Sequence, residues 1–188
     1  MPNMLSDFQR PESAFGAELQ HLFRARHFHI TSGAGYVSID GNIDRIFRGR
    51  LISRTPTDLN HINIYAYSYI DLLKNITFTV GASGDFTSGD SPDVAEKSEF
   101  NPKFGIMWSP LANTTLRAAA FRTFKRTLIT NQTLEPTQVA GFNQFFDDVN
   151  GTEAWRYGGA IDQRFTKNLF GGVEFSKRDL NVNLLAHV

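Results

Sequence analysis

The chain has 188 residues, a formal net charge of zero and no cysteine. The balanced charge gives no support for a nucleic-acid partner, and the lack of cysteine excludes a disulfide framework and a thiolate metal site. Mean hydropathy is slightly negative, and no stretch is long and apolar enough for a transmembrane helix. Membrane-spanning strands remain compatible with this composition, because only their lipid-facing residues have to be apolar.

The N-terminal segment Met1–Glu12 lacks the apolar core of a secretory signal. We expect residues 1–14 to be a disordered or linker N-terminus. Residues 15–180 are expected to form the folded β-barrel segment, and residues 181–188 a truncated C-terminal tail.

Apolar and polar residues alternate from Ile62 to Phe86, with one break at Leu72–Asn75. Successive side chains of a strand face opposite sides, so a period of two predicts extended strands. Two such runs joined by a few residues predict an antiparallel hairpin. Each run has about ten residues, the length of a tilted strand that crosses a bilayer.

The same pattern recurs and predicts about eight strands in all. Their predicted spans are Phe15–Phe23, His27–Val37, His61–Asp71, Asn75–Phe86, Asn101–Ser109, Thr114–Phe124, Ala154–Phe165 and Leu169–Asp179. The segment Arg45–Arg54 fits either an extension of a neighbouring strand or a short strand of its own.

The predicted connections alternate in length. Short ones are Arg24–Arg26, Leu72–Lys74, Pro110–Asn113 and Thr166–Asn168, and long ones are Ser38–Asn60, Thr87–Phe100 and Lys125–Glu153. Short turns at one end and long loops at the other are typical of an outer-membrane barrel. The fold class predicted here is therefore all-β, an antiparallel transmembrane β-barrel.

One strand face is apolar, and the opposite face carries charged residues that we expect to line the lumen. These are Lys103, Arg117, Arg156, Asp162, Glu174 and Arg178. Charges on the apolar face occur only towards strand ends, at Arg122 and Lys177. A charge at the bilayer midplane costs roughly 2–4 kcal/mol on a barrel's lipid face, so their exclusion is expected there.

Periodicity alone does not say which face points outward, because a soluble barrel shows the same alternation turned inside out. Three features favour a membrane: the alternating connections, aromatic residues near the strand ends of the apolar face, and a polar face crowded with Tyr65, Tyr67 and Tyr69. A soluble β-barrel module that binds an apolar ligand remains the alternative.

The longest predicted loop contains Phe142, Phe145 and Phe146, which are costly to leave in water. They are expected to fold the loop inward, onto the barrel rim or a plug, or to contact a ligand. We expect no metal site, since His27 and His29 lack an evident third ligand. No arrangement of a nucleophile with a base predicts catalysis, and no cofactor motif is present.

Several motifs resemble the TonB-dependent receptor-like outer-membrane β-barrel family. They are Asn101–Trp108 (NPKFGIMW), Thr115–Arg122 (TLRAAAFR), Gln132–Thr137 (QTLEPT), Trp155–Gly158 (WRYG) and Glu174–Leu180 (EFSKRDL). The resemblance is closest to a subgroup that often carries tetratricopeptide repeats ahead of the barrel. It implies a barrel larger than the strands counted here, of which this chain is a part.

The resemblance also implies a non-enzymatic protein of the Gram-negative outer membrane that supports passage of a solute. Implied partners are outer-membrane lipid and a plug domain or a periplasmic repeat domain of the same full-length protein. A barrel that mainly anchors such a repeat domain is a further alternative. Neither the solute nor the direction of its movement follows from the motifs.

Overall fold

The computed structural model describes residues 6–90, 96–126 and 133–182, without the side chains of residues 6–8 and Leu72. The strands of this part are β1 (Ser6–Gln9), β2 (Glu12–Arg24), β3 (Phe28–Phe47), β4 (Arg50–Leu73), β5 (Ile76–Ser88), β6 (Lys97–Leu111), β7 (Thr114–Phe124), β8 (Gln138–Val139), β9 (Phe142–Asn143), β10 (Glu153–Arg164) and β11 (Phe170–Asn181). Within these described ranges, no helix is long and apolar enough to cross a membrane.

Nine strands form one antiparallel sheet in the order β1–β3–β4–β5–β6–β7–β10–β11, with β2 also paired to β3. The strands β1 and β2 lie along different parts of β3, so the sheet has eight strand positions. The edge strands β2 and β11 do not pair with each other within the described residues. The architecture is thus an antiparallel barrel wall that is not closed, as the sequence predicted for part of a larger barrel.

The prediction of a long loop at Ser38–Asn60 was wrong. β3 and β4 stay paired from Phe28 opposite Ile70 to Phe47 opposite Arg50, and only Arg48 and Gly49 form the turn. Both turn residues have positive φ, 51° and 74°, as a two-residue hairpin with the twist of its strands requires. A strand section with water on both sides needs no apolar face, so the alternation fades there although the strand continues.

A cross-strand ion pair holds this extended part of the hairpin together. Asp44 lies opposite Arg54, and the guanidinium donates two hydrogen bonds of 2.7 and 2.6 Å to its carboxylate. The hydrogen bond from Arg54 keeps the pKa of Asp44 below its usual value. The pair lies well beyond the ten or so residues that a bilayer-spanning strand requires.

The N-terminus also differs from the expectation of a disordered segment. Ser6–Gln9 forms β1 against the end of β3, and β2 already begins at Glu12. Edge strands are paired by backbone hydrogen bonds, which need no side-chain period, so β1 carries no alternation from which it could be predicted. Residues 1–5 and 183–188 lie outside the described residues, and the C-terminal tail predicted for 181–188 falls mostly among them.

The remaining connections follow the predicted alternation. Residues 25–27, 74–75, 112–113 and 165–169 connect strands at one end, which we call the turn end. At the opposite end, the loop end, lie residues 89–96 and 125–152, whose stretches 91–95 and 127–132 are outside the described residues.

The two faces of the sheet differ in what covers them. On the apolar face, Phe104, Ile161 and Val173 are 52%, 44% and 70% exposed. On the opposite face, Tyr67, Lys103 and Phe121 are 0%, 2% and 0% exposed. We call the second one the covered face. An inside-out soluble barrel would bury the apolar face, so this arrangement agrees with the membrane interpretation.

A charge introduced at the centre of β6 tests the two faces. Phe104→Arg should destabilise the folded barrel in lipid by about 2–4 kcal/mol, because Phe104 lies on the apolar face at mid-strand. Met107→Arg should cost only up to about 1 kcal/mol, since Met107 lies on the opposite face beside Arg117. Urea unfolding of the full-length protein in lipid vesicles measures both, and equal costs would contradict the assignment of the faces.

Candidate functional site: the covered face and its strap

A segment of the longest loop crosses the covered face from edge to edge. We call residues 133–148 the strap. Near the start of the strap, Leu134 makes two hydrogen bonds to β2. The backbone N–H of Leu134 donates to Glu18, and the carbonyl of Leu134 accepts from Gln20. Near its end, Asp148 accepts a hydrogen bond of 2.5 Å from Arg178 on β11. The strap therefore contacts both edge strands of the sheet.

The strap is anchored by an apolar cluster. Val139 and Phe142 are both fully buried against residues of the sheet. The cluster comprises Tyr65, Tyr67, Ala119, Phe121, Val139, Ala140 and Phe142. Complete burial of a phenylalanine contributes roughly 1.5–3 kcal/mol, so this cluster can outweigh much of the entropy lost when the strap is ordered.

Two glycines of the sheet allow the strap to come this close. A Cβ at Gly158 would lie 2.5 Å from the Phe142 ring, and one at Gly105 would lie 2.8 Å from the Cβ of Ala140. Both distances are well inside van der Waals contact, so larger residues would push the strap away. Glycine at these positions serves close approach of another segment.

The tip of the strap is a small hairpin. Strands β8 and β9 pair Gln138 with Asn143 and Val139 with Phe142. The two turn residues, Ala140 and Gly141, have φ of 48° and 80°, and the carbonyl of Ala140 accepts from Arg117 at 3.4 Å. The turn thus directs Val139 and Phe142 to the same side, towards the sheet.

A buried polar network fixes the strap at the loop end. Glu135 accepts hydrogen bonds from Tyr67 at 2.6 Å and from Arg126 at 2.9 Å. Gln144 donates to the Tyr67 hydroxyl at 2.9 Å. Burial opposes the charge of Arg126, but Glu135 and Asp85 outweigh it and raise the pKa of Arg126 above its usual value. The arginine is therefore a permanent cation between two carboxylates.

Asp85 forms the part of this network that belongs to the sheet. Its carboxylate contacts His61 at 3.1 Å and accepts hydrogen bonds from Asn63 at 3.0 Å and Asn101 at 2.8 Å. Arg126 lies 3.5 Å away. A buried carboxylate with several donors is well satisfied, which makes this network a rigid rather than a reactive element.

The second half of the strap packs against a row of three arginines. The Phe142 ring centroid lies 5.0 Å from the Arg117 guanidinium carbon and 5.6 Å from that of Arg156. The Phe146 centroid lies 5.1 Å from Arg156 and 3.8 Å from Arg178. Each ring therefore lies between two guanidinium groups, within the range of cation–π attraction.

All six charged residues predicted to share a face do so in the structure. Five of them form one cluster: Arg117 donates to Asp162 at 2.6 Å, Arg156 donates to Glu174 at 2.8 Å, and Arg178 lies opposite Arg156. Lys103 lies apart, where its ammonium donates to the carbonyl of Arg122 at 2.7 Å. That this face lines a lumen stays a prediction.

The three loop phenylalanines take different positions. Phe142 is buried in the cluster, and Phe146 lies in the arginine row as described. Phe145 lies against Arg126, with 5.8 Å between its centroid and the guanidinium carbon. All three contact arginines of this chain, and their predicted contact with a plug or ligand stays a prediction.

Sequence reasoning missed the partners of the strap in the polar network. Arg126 and Gln144 carry no motif, and the motif that contains Glu135 assigns it no partner. Tyr67 is 68 positions away from Glu135 along the chain. The one available signal was the crowding of tyrosines on the polar strand face. In the described part of the chain, no group of three or more metal-ligating side chains occurs.

Comparison with known proteins decides the family. A family model described as TonB dependent receptor-like, beta-barrel, matches residues 4–186. The chain belongs to this family. No curated protein matches the chain.

Two solved structures share the fold of this chain. One, the FpvAI–pyocin S2 complex, superposes with a TM-score of 0.60 at 10% identity, over 91% of this chain and 26% of that one. The other is the alcaligin outer-membrane receptor FauA from Bordetella pertussis, with a TM-score of 0.55 at 15% identity, over 93% of this chain and 30% of that one. The chain thus spans less than a third of either structure.

Two neighbouring glycines on β10 test how the strap is held. Gly158→Val should displace Phe142 and destabilise the docked strap by about 1–3 kcal/mol, the usual cost of overpacking. Gly159→Val is the matched control, because a Cβ there meets nothing within 4 Å. Amide hydrogen exchange of residues 138–144 should accelerate only in Gly158→Val. Unchanged exchange in that variant would contradict the close packing described here.

Removal of the buried cation tests the polar network. Arg126→Met should destabilise the protein by about 3–5 kcal/mol, since Glu135 and Asp85 would be left buried without their cation. The double variant Arg126→Met/Glu135→Met should recover part of this loss, because it removes one of the two uncompensated charges. Chemical denaturation of the full-length protein in lipid measures the difference. A double variant less stable than Arg126→Met would refute this account.

Proposed function

We propose that this chain forms part of an outer-membrane β-barrel that supports passage of a solute across the Gram-negative outer membrane. The observation that carries the proposal is the division of the sheet into an exposed apolar face and a covered charged face. Apolar side chains towards lipid and charged ones towards the interior are what a transmembrane barrel requires.

The family and the structural neighbours support the same proposal. One of the two neighbours is described as an outer-membrane receptor for alcaligin, and the other was solved in complex with pyocin S2. Both descriptions concern those proteins. For this chain we propose only the general role of supporting solute passage, with outer-membrane lipid around the apolar face and no catalytic activity.

The charged residues of the covered face are proposed to line the lumen of the complete barrel. Arg117, Arg156 and Arg178 would set its charge selectivity, as lumen residues do in other barrels. A plug domain or a periplasmic repeat domain of the same full-length protein is the proposed partner on the periplasmic side. The strap would narrow the passage, because it lies across the wall that faces the lumen.

The alternative of a soluble module with an apolar ligand inside has weaker support. Such a module needs an apolar cavity on its interior face. The covered face carries buried charged residues such as Lys103, Arg126 and Glu135 instead. The exposed apolar side chains of the other face would also favour aggregation in water.

Cysteine labelling tests the proposed topology. Val149 lies in the loop-end connection and is 60% exposed, and Ala112 lies in an exposed turn at the opposite end. In the full-length protein, Val149→Cys should react with a membrane-impermeant maleimide on intact cells. Ala112→Cys should react only after the outer membrane is permeabilised, and the reverse pattern would invert the proposed orientation.

Solute passage is tested separately in proteoliposomes. Vesicles containing the full-length protein should release or take up small solutes faster than empty vesicles. Protein heated until it unfolds, and reconstituted in the same amount, is the control for leakage. Equal rates with native and unfolded protein would refute the transport proposal and leave the barrel fold untouched.

A further inference from the structure

The arginine row is unusual for a sheet that only needs to be stable. Arg156 and Arg178 lie directly opposite each other on β10 and β11. Like charges in directly opposite positions destabilise a strand pair. Arg117 lies on the next strand, β7, opposite Ala160. Asp162 and Glu174 of the sheet pair with Arg117 and Arg156, and Arg178 at the end of this surface takes its carboxylate partner from the strap.

The strap supplies the groups that such a surface attracts. Phe146 places its ring between Arg156 and Arg178, and Asp148 accepts a hydrogen bond from Arg178 at 2.5 Å. One aromatic ring and one carboxylate, two residues apart, thus occupy the end of the row. A free molecule with an aromatic ring and a carboxylate carries the same two groups.

The row also retains unused hydrogen-bond donors. The Nε atoms of Arg156 and Arg178 are buried and have no partner among the described residues. The Arg156 side chain is only 8% exposed, so water compensates little for the missing bond. A buried donor without a partner is costly, and a ligand oxygen placed there would relieve that cost.

The strap is held unevenly along its length. Val139, Phe142 and Gln144 are at most 1% exposed, whereas Phe146 and Asp148 are only half-buried. Asp147 between them is exposed. The part that covers Arg156 and Arg178 is therefore the less tightly packed part, and its displacement costs less than that of the β8–β9 hairpin.

We propose that Arg156 and Arg178 form a binding site for aromatic carboxylates, and that Phe146 and Asp148 occupy this site until such a solute displaces them. The inference rests on the proposed function and names the solute class for it. Planar guanidiniums suit both parts of the ligand. Both arginines can stack on a ring, and Arg178, whose Nη2 is released when Asp148 leaves and whose Nε has no partner among the described residues, can bind a carboxylate through two parallel hydrogen bonds. Glu174, which accepts from Arg156 at 2.8 Å, limits the site to a ligand of low charge.

The binding experiment uses 2-naphthoate as the probe and the full-length protein in lipid nanodiscs. Two matched compounds separate the contributions of charge and ring: 2-naphthamide lacks the charge, and the fully saturated decalin carboxylate lacks the aromatic ring. Equilibrium dialysis should show saturable binding of 2-naphthoate and weaker binding of both matched compounds. Equal binding of all three would show that neither group is recognised and would overturn the proposal.

Variants of the strap test the displacement. Phe146→Ala removes the competing ring, so naphthoate affinity should rise about threefold to thirtyfold. Asp148→Asn should raise it about threefold to tenfold, because the competing carboxylate is lost. Asp147→Asn makes the same charge change at the exposed neighbour and should leave the affinity unchanged. A lower affinity in Phe146→Ala would mean that the ring helps to bind the ligand, which contradicts displacement.

Variants of the wall test the site itself. Arg178→Gln should weaken naphthoate binding at least about tenfold, the loss expected when one charged hydrogen-bond partner is removed. Arg178→Lys should recover part of this loss, since the charge returns without the planar stacking surface. If Arg178→Gln unfolds the barrel, Phe146→Ala and Asp148→Asn still decide the outcome. Wild-type affinity in folded Arg178→Gln would overturn the site.

The binding and transport outcomes are separable. A protein that passes small solutes but binds no naphthoate, even as Phe146→Ala, removes the proposed site and leaves the proposed function intact. A protein that binds naphthoate in this pattern but passes no solute confirms the site and refutes the transport role.

Discussion

The rest of this structure depends on one constraint: the two faces of the sheet differ in polarity. The middle of each strand has one apolar, exposed face, so the charged side chains of that part have to be satisfied on the other face. There the arginines of β7, β10 and β11 share one row, and Asp85 and Lys103 are buried elsewhere on the same face. Buried charges without partners are strongly destabilising, so the covered face requires a matching set of groups.

The strap provides much of that set from a single segment. Glu135 satisfies Arg126 and Tyr67, the rings of Phe142 and Phe146 lie between guanidiniums, and Asp148 binds Arg178. Its apolar anchor depends on glycines that leave room at the wall. The strap is thus both a structural partner of the wall and, by its position, the element that controls access to the arginine row.

Much of the fold followed from the sequence because period two is a direct consequence of strand geometry. The strand faces, the short turns and the shared face of the six charged residues were predicted on that basis. The loop predicted at Ser38–Asn60 failed because a strand that leaves the apolar layer no longer needs the alternation. The path of the strap could not be predicted, since contacts such as Tyr67 with Glu135 join distant segments that carry no common pattern. Burial of the loop phenylalanines was expected from their cost in water, but their place between arginines was not.

The central claim is that the apolar face of the sheet is exposed to lipid and the opposite face is covered. The most direct test is to measure which positions of β10 face lipid. Single nitroxide labels at positions 154–163 of the full-length protein in bilayers should show an oxygen accessibility that oscillates with a period of two. The account predicts maxima at the positions of the apolar face, Trp155, Tyr157, Gly159 and Ile161, and minima at those of the covered face. Maxima at Arg156, Gly158 and Ala160, or no oscillation at all, would contradict it.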